Sequence, residues 1–172
     1  MTTLASPAPF SSVSGEGVVT GAGARHIRVL LVEEHLLMRW ALKALINQQS
    51  DMQVVAEAGD GDEALRAIRE CSPDVVLTEI AIPGIDGLNL ARTLAQISPR
   101  TGILFLTSWE DDTYLLEALR AGGRGFFLKK SAEPGLLMDG VRAVAQGRTY
   151  IQATAAGSLV RDFLQRSGSP LI

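Results

Sequence analysis

Three glutamates that follow two apolar runs are the residues best placed to do chemistry. Glu33 and Glu34 come directly after Ile27–Val32, and Glu79 comes directly after Val75–Thr78. Short β-branched runs are typical of buried parallel strands, and open α/β sheets place their sites at the carboxyl ends of such strands. The pattern therefore predicts an acidic crevice at that edge of a sheet. Its carboxylates are one methylene longer than the aspartates that phosphate chemistry at such a site favours.

The elements that must position these acids alternate five times along the chain. Strand-like runs, bounded by polar turns, cover residues 27–32, 52–58, 75–78, 102–106 and 125–129. Between them, apolar residues recur three and four positions apart, which is typical of amphipathic helices. Five strand–helix alternations predict an α/β fold with a doubly wound, five-stranded parallel sheet, the (βα)5 flavodoxin-like arrangement.

Composition excludes several classes of function. No stretch approaches the roughly 18–20 apolar residues that a membrane helix needs. A net charge of −3 argues against this segment gripping nucleic acid by itself. Cys71 is the single cysteine, so the sequence carries no disulfide framework and no thiolate metal cluster. We therefore expect a reduced, cytoplasmic setting.

The 172 residues have room for one ordinary domain and flanking segments. Residues 1–26 are rich in Ser, Gly, Ala, Thr and Pro and are expected to form a flexible arm. The domain itself is predicted at 27–151. Within residues 152–172, a helix at 154–165 is expected to be a linker or a dimer contact, because a lone helix of this length is marginal without packing.

Short motifs follow one another in a fixed order along the domain. They are Val-Glu-Glu-His at 32–35, the glutamate at 79 with Pro-Gly at 83–84 and Asp-Gly at 86–87, Leu-Thr-Ser at 106–108, and Gly-Phe-Phe-Leu-Lys at 125–129. Over residues 26–151 they resemble the receiver domain of bacterial response regulators, which implies a CheY-like receiver fold. Residues 116–122 and 144–150 resemble the NarL/LuxR-type branch, which joins a receiver to a C-terminal LuxR-type helix-turn-helix. The resemblance therefore implies that this second domain is missing from a shortened regulator, or that the receiver stands alone.

The resemblance assigns a role to each of the three glutamates. The two acids that bind Mg²⁺ in the family correspond to Glu33 and Glu34, and the phosphoacceptor aspartate corresponds to Glu79. Each glutamate moves its carboxylate roughly 1.5 Å outward, and a misplacement near 1 Å can cost on the order of a hundredfold in rate. Magnesium also demands near-ideal octahedral geometry. We therefore expect an atypical receiver in which Mg²⁺ binding and phosphorylation are weak or absent, and no other cofactor.

Three further positions match the residues that respond to the phosphoryl group in the family. Thr107 matches the Ser or Thr that reports the phosphate, Phe126 the aromatic residue that rotates inward, and Lys129 the lysine that pairs with the phosphate. Converging carboxylates raise at least one pKa unless a cation compensates. A contact from Lys129 to a glutamate would lock the pocket, and Glu79 would partly imitate a phosphorylated aspartate. Whether the result is a permanently active or an indifferent domain stays open.

Two tryptophans are candidate ligand or interface residues. Trp40 lies off the predicted apolar face of the first helix, which consists of Met38, Leu42 and Leu45, so we expect it to point away from the core. Trp109 lies in the loop after the fourth strand, beside the mouth of the predicted pocket. Exposed tryptophans often anchor an interface or a ligand.

The sequence favours a regulatory domain rather than an enzyme. It would act by homodimerisation, or by binding a small-molecule metabolite or a protein, to control DNA binding by an attached helix-turn-helix domain. One alternative is a conventional phosphorelay receiver that is phosphorylated with Mg²⁺. A second is a flavodoxin-like electron carrier, although residues 33–36 are Glu-Glu-His-Leu where a flavin site needs a Ser-, Thr- or Gly-rich phosphate loop.

Overall fold

The structure, a computed structural model, describes residues 25–168. Six strands are present: β1 Ile27–Val32, β2 Met52–Ala58, β3 Val75–Thr78, β4 Gly102–Thr107, β5 Gly125–Leu128 and β6 Tyr150–Ile151. Six helices alternate with them or follow them: α1 Leu36–Asn47, α2 Gly61–Cys71, α3 Gly87–Ile97, α4 Asp112–Arg120, α5 Pro134–Ala145 and α6 Ala153–Arg166. All of the predicted arm except residues 25 and 26 lies outside the described residues.

The strands form one parallel sheet in the order β2-β1-β3-β4-β5-β6. The order reverses beside β1, which confirms the doubly wound topology predicted from the sequence. The prediction of five strands was wrong by one. Tyr150 and Ile151 pair with Gly125 and Phe126 as a sixth strand. A strand of two residues is too short to show an alternating pattern in the sequence.

Alternation along β1 divides the core into two layers. Leu30 and Val32 pack on the side of the sheet that α2, α3 and α4 cover, while Val29 and Leu31 pack on the side that α1 and α5 cover. Because both faces are covered, β3 and β4 are buried along their whole length. Polar chemistry is therefore restricted to the carboxyl edge of the sheet, where these strands meet the loops that follow them.

The first helix buries a different stripe from the predicted one. Leu42 and Ile46 are buried and Leu45 is partly buried, but Met38 is 37% exposed. The first turn of α1 is uncovered, since Leu36 and Leu37 are exposed as well. The buried stripe therefore begins one turn later than the sequence pattern indicated.

The last helix packs on the domain. α6 lies against α4 and β5, with Ala155 buried and Leu159 partly buried in the α2–α3–α4 layer. Val160 and Phe163 remain exposed on its outer side. Within residues 25–168, no helix is both long and apolar enough to cross a membrane.

Candidate functional site

The carboxyl ends of β1, β3 and β5 bring two glutamates and one lysine together. The Nζ atom of Lys129 lies 2.7 Å from Oε2 of Glu33 and 3.0 Å from Oε2 of Glu79. Glu33 and Glu79 are buried, and the lysine side chain is 13% exposed. One ammonium group therefore bridges two carboxylates that would otherwise repel each other in a poorly solvated pocket.

The remaining carboxylate oxygens of this cluster accept hydrogen bonds as well. Oε1 of Glu33 accepts from the backbone N–H of His35 at 3.0 Å and lies 2.8 Å from its Nδ1. Oε1 of Glu79 accepts from the N–H of Ile80 at 2.6 Å, and its Oε2 accepts from the N–H of Ser108 at 3.1 Å. Across the described residues, no buried side-chain nitrogen or oxygen lacks a partner.

The charges in the cluster stabilise each other. Burial raises the pKa of Glu33, but hydrogen bonds from Lys129 and His35 outweigh it and leave that pKa below its usual value. Burial lowers the pKa of Lys129, and its bonds to Glu33 and Glu79 outweigh this effect and leave the pKa raised. Lys129 therefore supplies the cation that compensates the charge of Glu33.

Glu34 does not join the cluster. Its side chain is 41% exposed, and it lies 3.8 Å from Nε2 of His35. Consecutive residues after a strand diverge, so Glu33 turns into the pocket while Glu34 faces solvent. The expected convergence of three glutamates is therefore wrong for Glu34. Among residues 25–168, no three His, Cys, Asp or Glu side chains are arranged so that they could hold a metal ion.

A tight turn after β3 fixes the backbone beneath Glu79. The N–H of Gly87 donates to the carbonyl of Ile80 at 2.8 Å, and Asp86 caps α3 by accepting from the N–H of Asn89. A Cβ atom at Gly87 would lie 2.5 Å from the carbonyl oxygen of Glu79. Only glycine allows α3 to start this close to the acidic residue.

Thr107 and Phe126, two of the three further positions matched in the sequence, are both buried. Thr107 is fully buried, and its Oγ1 accepts from the N–H of Trp109 at 3.2 Å. The group at the end of β4 that bonds to Glu79 is the N–H of Ser108, a residue that the sequence reasoning missed. Phe126 is 2% exposed and packs inward in the α2–α3–α4 layer.

The two tryptophans lie in different places. Trp109 is 45% exposed, and its ring meets that of Tyr114 edge-on at a centroid distance of 4.7 Å. It lines a cavity of about 310 Å³ together with Leu115, Phe126, Leu128, Thr154 and Ala155. Trp40 is 68% exposed on α1, as predicted, next to Leu36 and Leu37.

Sequence reasoning missed one more polar residue near the site. Gln152, between β6 and α6, is 7% exposed and bonds through its side chain to Leu128 and Ser131. Without a predicted sixth strand, the sequence carried no signal that this glutamine is buried. The side chain of His35 is 70% exposed and contacts Oε1 of Glu33 through Nδ1.

Comparison with known proteins identifies the family to which this arrangement belongs. Residues 29–142 match the response regulator receiver domain. The chain belongs to the response regulator receiver family. The receiver is similar to the oxygen regulatory protein NreC of Staphylococcus aureus, with 36% identity over 142 residues, 82% of this chain and 65% of the relative. The receiver therefore spans slightly less than two thirds of the length of that curated relative.

Solved structures support the same branch. A LuxR-family response regulator from Aurantimonas sp. is 30% identical, with a TM-score of 0.76 over 81% of this receiver and 99% of that chain. The signal receiver domain of NarL from Mycobacterium tuberculosis is 29% identical, with a TM-score of 0.69 over 72% of this receiver and 99% of that chain. The NarL/LuxR-type relationship predicted from the sequence is confirmed.

Proposed function

We propose that this receiver works without phosphorylation, because Lys129 and the two buried glutamates take the place of the magnesium and phosphoryl assembly. The observation that carries the proposal is the ammonium of Lys129, which lies within 3.0 Å of both Glu33 and Glu79. It supplies inside the pocket the positive charge that a metal ion would otherwise bring.

Glu79 acts in this proposal as a built-in anion. Its Oε2 accepts from the ammonium of Lys129 at 3.0 Å and from the N–H of Ser108 at 3.1 Å. An aspartate would end roughly 1.5 Å short of this position. The extra methylene therefore lets the carboxylate reach the residues that follow β4 and β5 with no added phosphoryl group. Phe126 matches the aromatic residue that rotates inward in the family. Its buried position supports a single conformation of the domain.

The residues present do not fit Mg²⁺. The ion prefers octahedral oxygen ligands at about 2.0–2.1 Å and is held by carboxylates that are free to coordinate it. Here Glu33 and Glu79 already accept hydrogen bonds through both of their oxygens, and Glu34 points to solvent. Binding of Mg²⁺ would have to displace Lys129, so we propose that it is weak or absent.

Incubation with a phosphodonor tests the proposal directly. The protein is treated with acetyl phosphate and Mg²⁺, and in parallel with beryllofluoride, and intact mass and tryptophan fluorescence are recorded. We expect no phosphoryl adduct and no fluorescence change. A stoichiometric adduct at Glu79 would establish the alternative, a conventional phosphorelay receiver. A conventional receiver treated in the same way serves as the positive control.

We further propose that the receiver regulates transcription in the cytoplasm through an attached helix-turn-helix domain and acts as a homodimer. The likeness to a LuxR-family response regulator supports this assignment. The uncovered first turn of α1, with Leu36, Leu37 and Trp40, favours a dimer face formed by α1 and α5, because α6 covers part of α4 and β5. Sedimentation of Trp40→Ala and Trp109→Ala tests this, since only the first substitution is expected to weaken the dimer.

A second candidate function is binding of a small-molecule metabolite. The cavity of about 310 Å³ beside Trp109 supports it, because it lies within the usual size range of ligand sites and is walled by Phe126 and Leu115. Titration of candidate metabolites should then quench Trp109 fluorescence in the wild type and in Trp40→Phe. No quenching across a panel of metabolites would argue against the site.

A further inference from the structure

Gln152 links the last two strands of the sheet to the start of α6. Its side-chain Oε1 accepts from the backbone N–H of Leu128 at 2.8 Å, and its Nε2 donates to the carbonyl oxygen of Ser131 at 2.7 Å. Its backbone N–H donates to the carbonyl of Phe126 at 3.0 Å. The carbonyl of Gln152 accepts from the N–H groups of Ala155 and Ala156 at 2.9 and 3.0 Å, which begins the helix.

The two residues held by the Gln152 side chain lie on either side of Lys129. Leu128 is the last residue of β5, and Ser131 ends the short 3₁₀ turn Lys129–Ser131. The side-chain amide of Gln152 therefore bonds to the chain on both sides of Lys129, while its backbone carbonyl accepts the first hydrogen bonds of α6. Gln152 thus contacts both the segment around Lys129 and the first turn of the helix.

Burial makes this link costly to break. Gln152 is 7% exposed, and both polar atoms of its amide have partners inside the protein. A buried amide that loses its hydrogen-bond partner bears the full cost of desolvation. We therefore expect the Gln152 side chain to move together with Leu128 and Ser131. β6 contains two residues and offers little other attachment for the start of α6.

We propose that Gln152 is a positioning residue that couples the Lys129 pocket to α6. A displacement of Lys129 would shift the Leu128 and Ser131 backbone, and Gln152 would transmit that shift to the first turn of the helix. Ala155, in that turn, is buried against the α2–α3–α4 layer, so a shift there alters how α6 seats on α4 and β5. The inference rests on the proposed role of Lys129 and adds the path by which its state reaches the C-terminal helix.

Hydrogen exchange of α6 in a double-mutant cycle tests the coupling. Exchange of residues 153–166 is measured by mass spectrometry in the wild type, Lys129→Met, Gln152→Met and the double variant. In the wild-type background, Lys129→Met should accelerate exchange roughly fivefold, about the effect of losing one ordinary hydrogen bond. In the Gln152→Met background, Lys129→Met should change it by less than about twofold, because the link is already broken.

Controls separate this inference from its alternatives. Gln165→Met, an exposed glutamine on α6, should leave the response to Lys129→Met unchanged. If Gln152→Met does not fold, Gln152→Glu replaces it, since it keeps an acceptor for Leu128 but loses the donor to Ser131. An equal effect of Lys129→Met in both backgrounds, or no effect in the wild-type background, would overturn the coupling. Neither result bears on phosphorylation of Glu79, which the phosphodonor assay decides separately.

Discussion

The ammonium of Lys129 lies 2.7 Å from the buried carboxylate of Glu33, a residue 96 positions earlier in the chain. This pair connects the end of β5 to the end of β1 across β3 and β4, because those two strands lie between them in the sheet. The strength of the pair depends on its burial, which removes competing water, and on the hydrogen bonds that occupy the other carboxylate oxygen.

Replacing Lys129 by methionine should destabilise the fold. Two buried carboxylates would lose their shared cation, and breaking a buried pair in this way costs about 3–5 kcal/mol, so we expect roughly 2–4 kcal/mol for this partly solvated lysine. Urea unfolding measures the change in the free energy of unfolding. Lys130→Met is the matched control, because Lys130 pairs with the exposed Glu110 and should cost less than about 1 kcal/mol. Equal costs for the two variants would contradict the assigned role.

Stability should depend on pH through Glu33. Its pKa in the folded state lies below the ordinary value of 4.5, so its contribution is complete above that value and is lost as the pH falls through the lowered pKa. Glu33→Gln should therefore flatten the loss of stability below about pH 4.5. Urea midpoints between pH 7 and pH 3 test this. Glu34→Gln, which removes an exposed carboxylate outside the cluster, is the matched control and should retain the dependence on Glu33. Parallel curves for the wild type and Glu33→Gln would refute the prediction.

At high pH the same cluster should titrate in the opposite sense. The pKa of Lys129 is raised above 10.5, so its contribution is present below that value and is lost as the pH rises through the raised pKa. Lys129→Met should remove this alkaline loss of stability, whereas Lys130→Met should retain it. Thermal melting between pH 9 and pH 12 checks the prediction, and a persisting alkaline loss in Lys129→Met would contradict it.

Shortening the acids should restore metal binding. The triple variant replaces each glutamate by aspartate (Glu33→Asp/Glu34→Asp/Glu79→Asp). Each carboxylate then lies roughly 1.5 Å closer to the backbone and away from its present partners. We expect Mg²⁺ to bind this variant at millimolar concentrations or below and to bind the wild type at least about tenfold more weakly, a difference of about 1.4 kcal/mol. Calorimetric titration measures both affinities. Comparable affinities would mean that the length of these side chains does not control the pocket.

Gly87 should be intolerant of a side chain. An alanine Cβ would lie 2.5 Å from the carbonyl oxygen of Glu79, so we expect Gly87→Ala to cost about 1–3 kcal/mol, as overpacking does. Gly135 in α5 is the control, because a Cβ there meets nothing within 4 Å and alanine favours the helix by about 0.5–1 kcal/mol. Thermal melting should therefore move in opposite directions for the two variants. A neutral Gly87→Ala would mean that the turn can yield.

Most of the framework was predictable because buried strands leave continuous apolar runs. β1, β2 and β3 match the predicted runs to the residue, and β4 and β5 match within one residue. The sixth strand was missed because Tyr150 and Ile151 are held by a neighbouring strand and not by a pattern of their own. Propensity and periodicity do not record a partner that lies elsewhere in the chain.

The site was predictable in its residue types and less so in its geometry. The order of strand ends placed Glu33 and Glu79 together, since parallel strands share one carboxyl edge, and the resemblance to receiver domains added Lys129. The divergence of Glu34 depends on the path of the chain after β1, and the contribution of Ser108 comes from a backbone N–H that every residue except proline carries. Such features become visible only when the backbone is placed.

Lys129 lies in the 3₁₀ turn that follows β5, so the positive charge of the pocket is part of the chain itself. A metal ion is drawn from a shared cellular store and rises and falls with it, whereas the ammonium of Lys129 is tethered to the same polypeptide and is present at a constant effective concentration. In the proposed state, the pocket therefore holds the same positive charge in every molecule, whatever divalent ions or phosphodonors the cell has at the time.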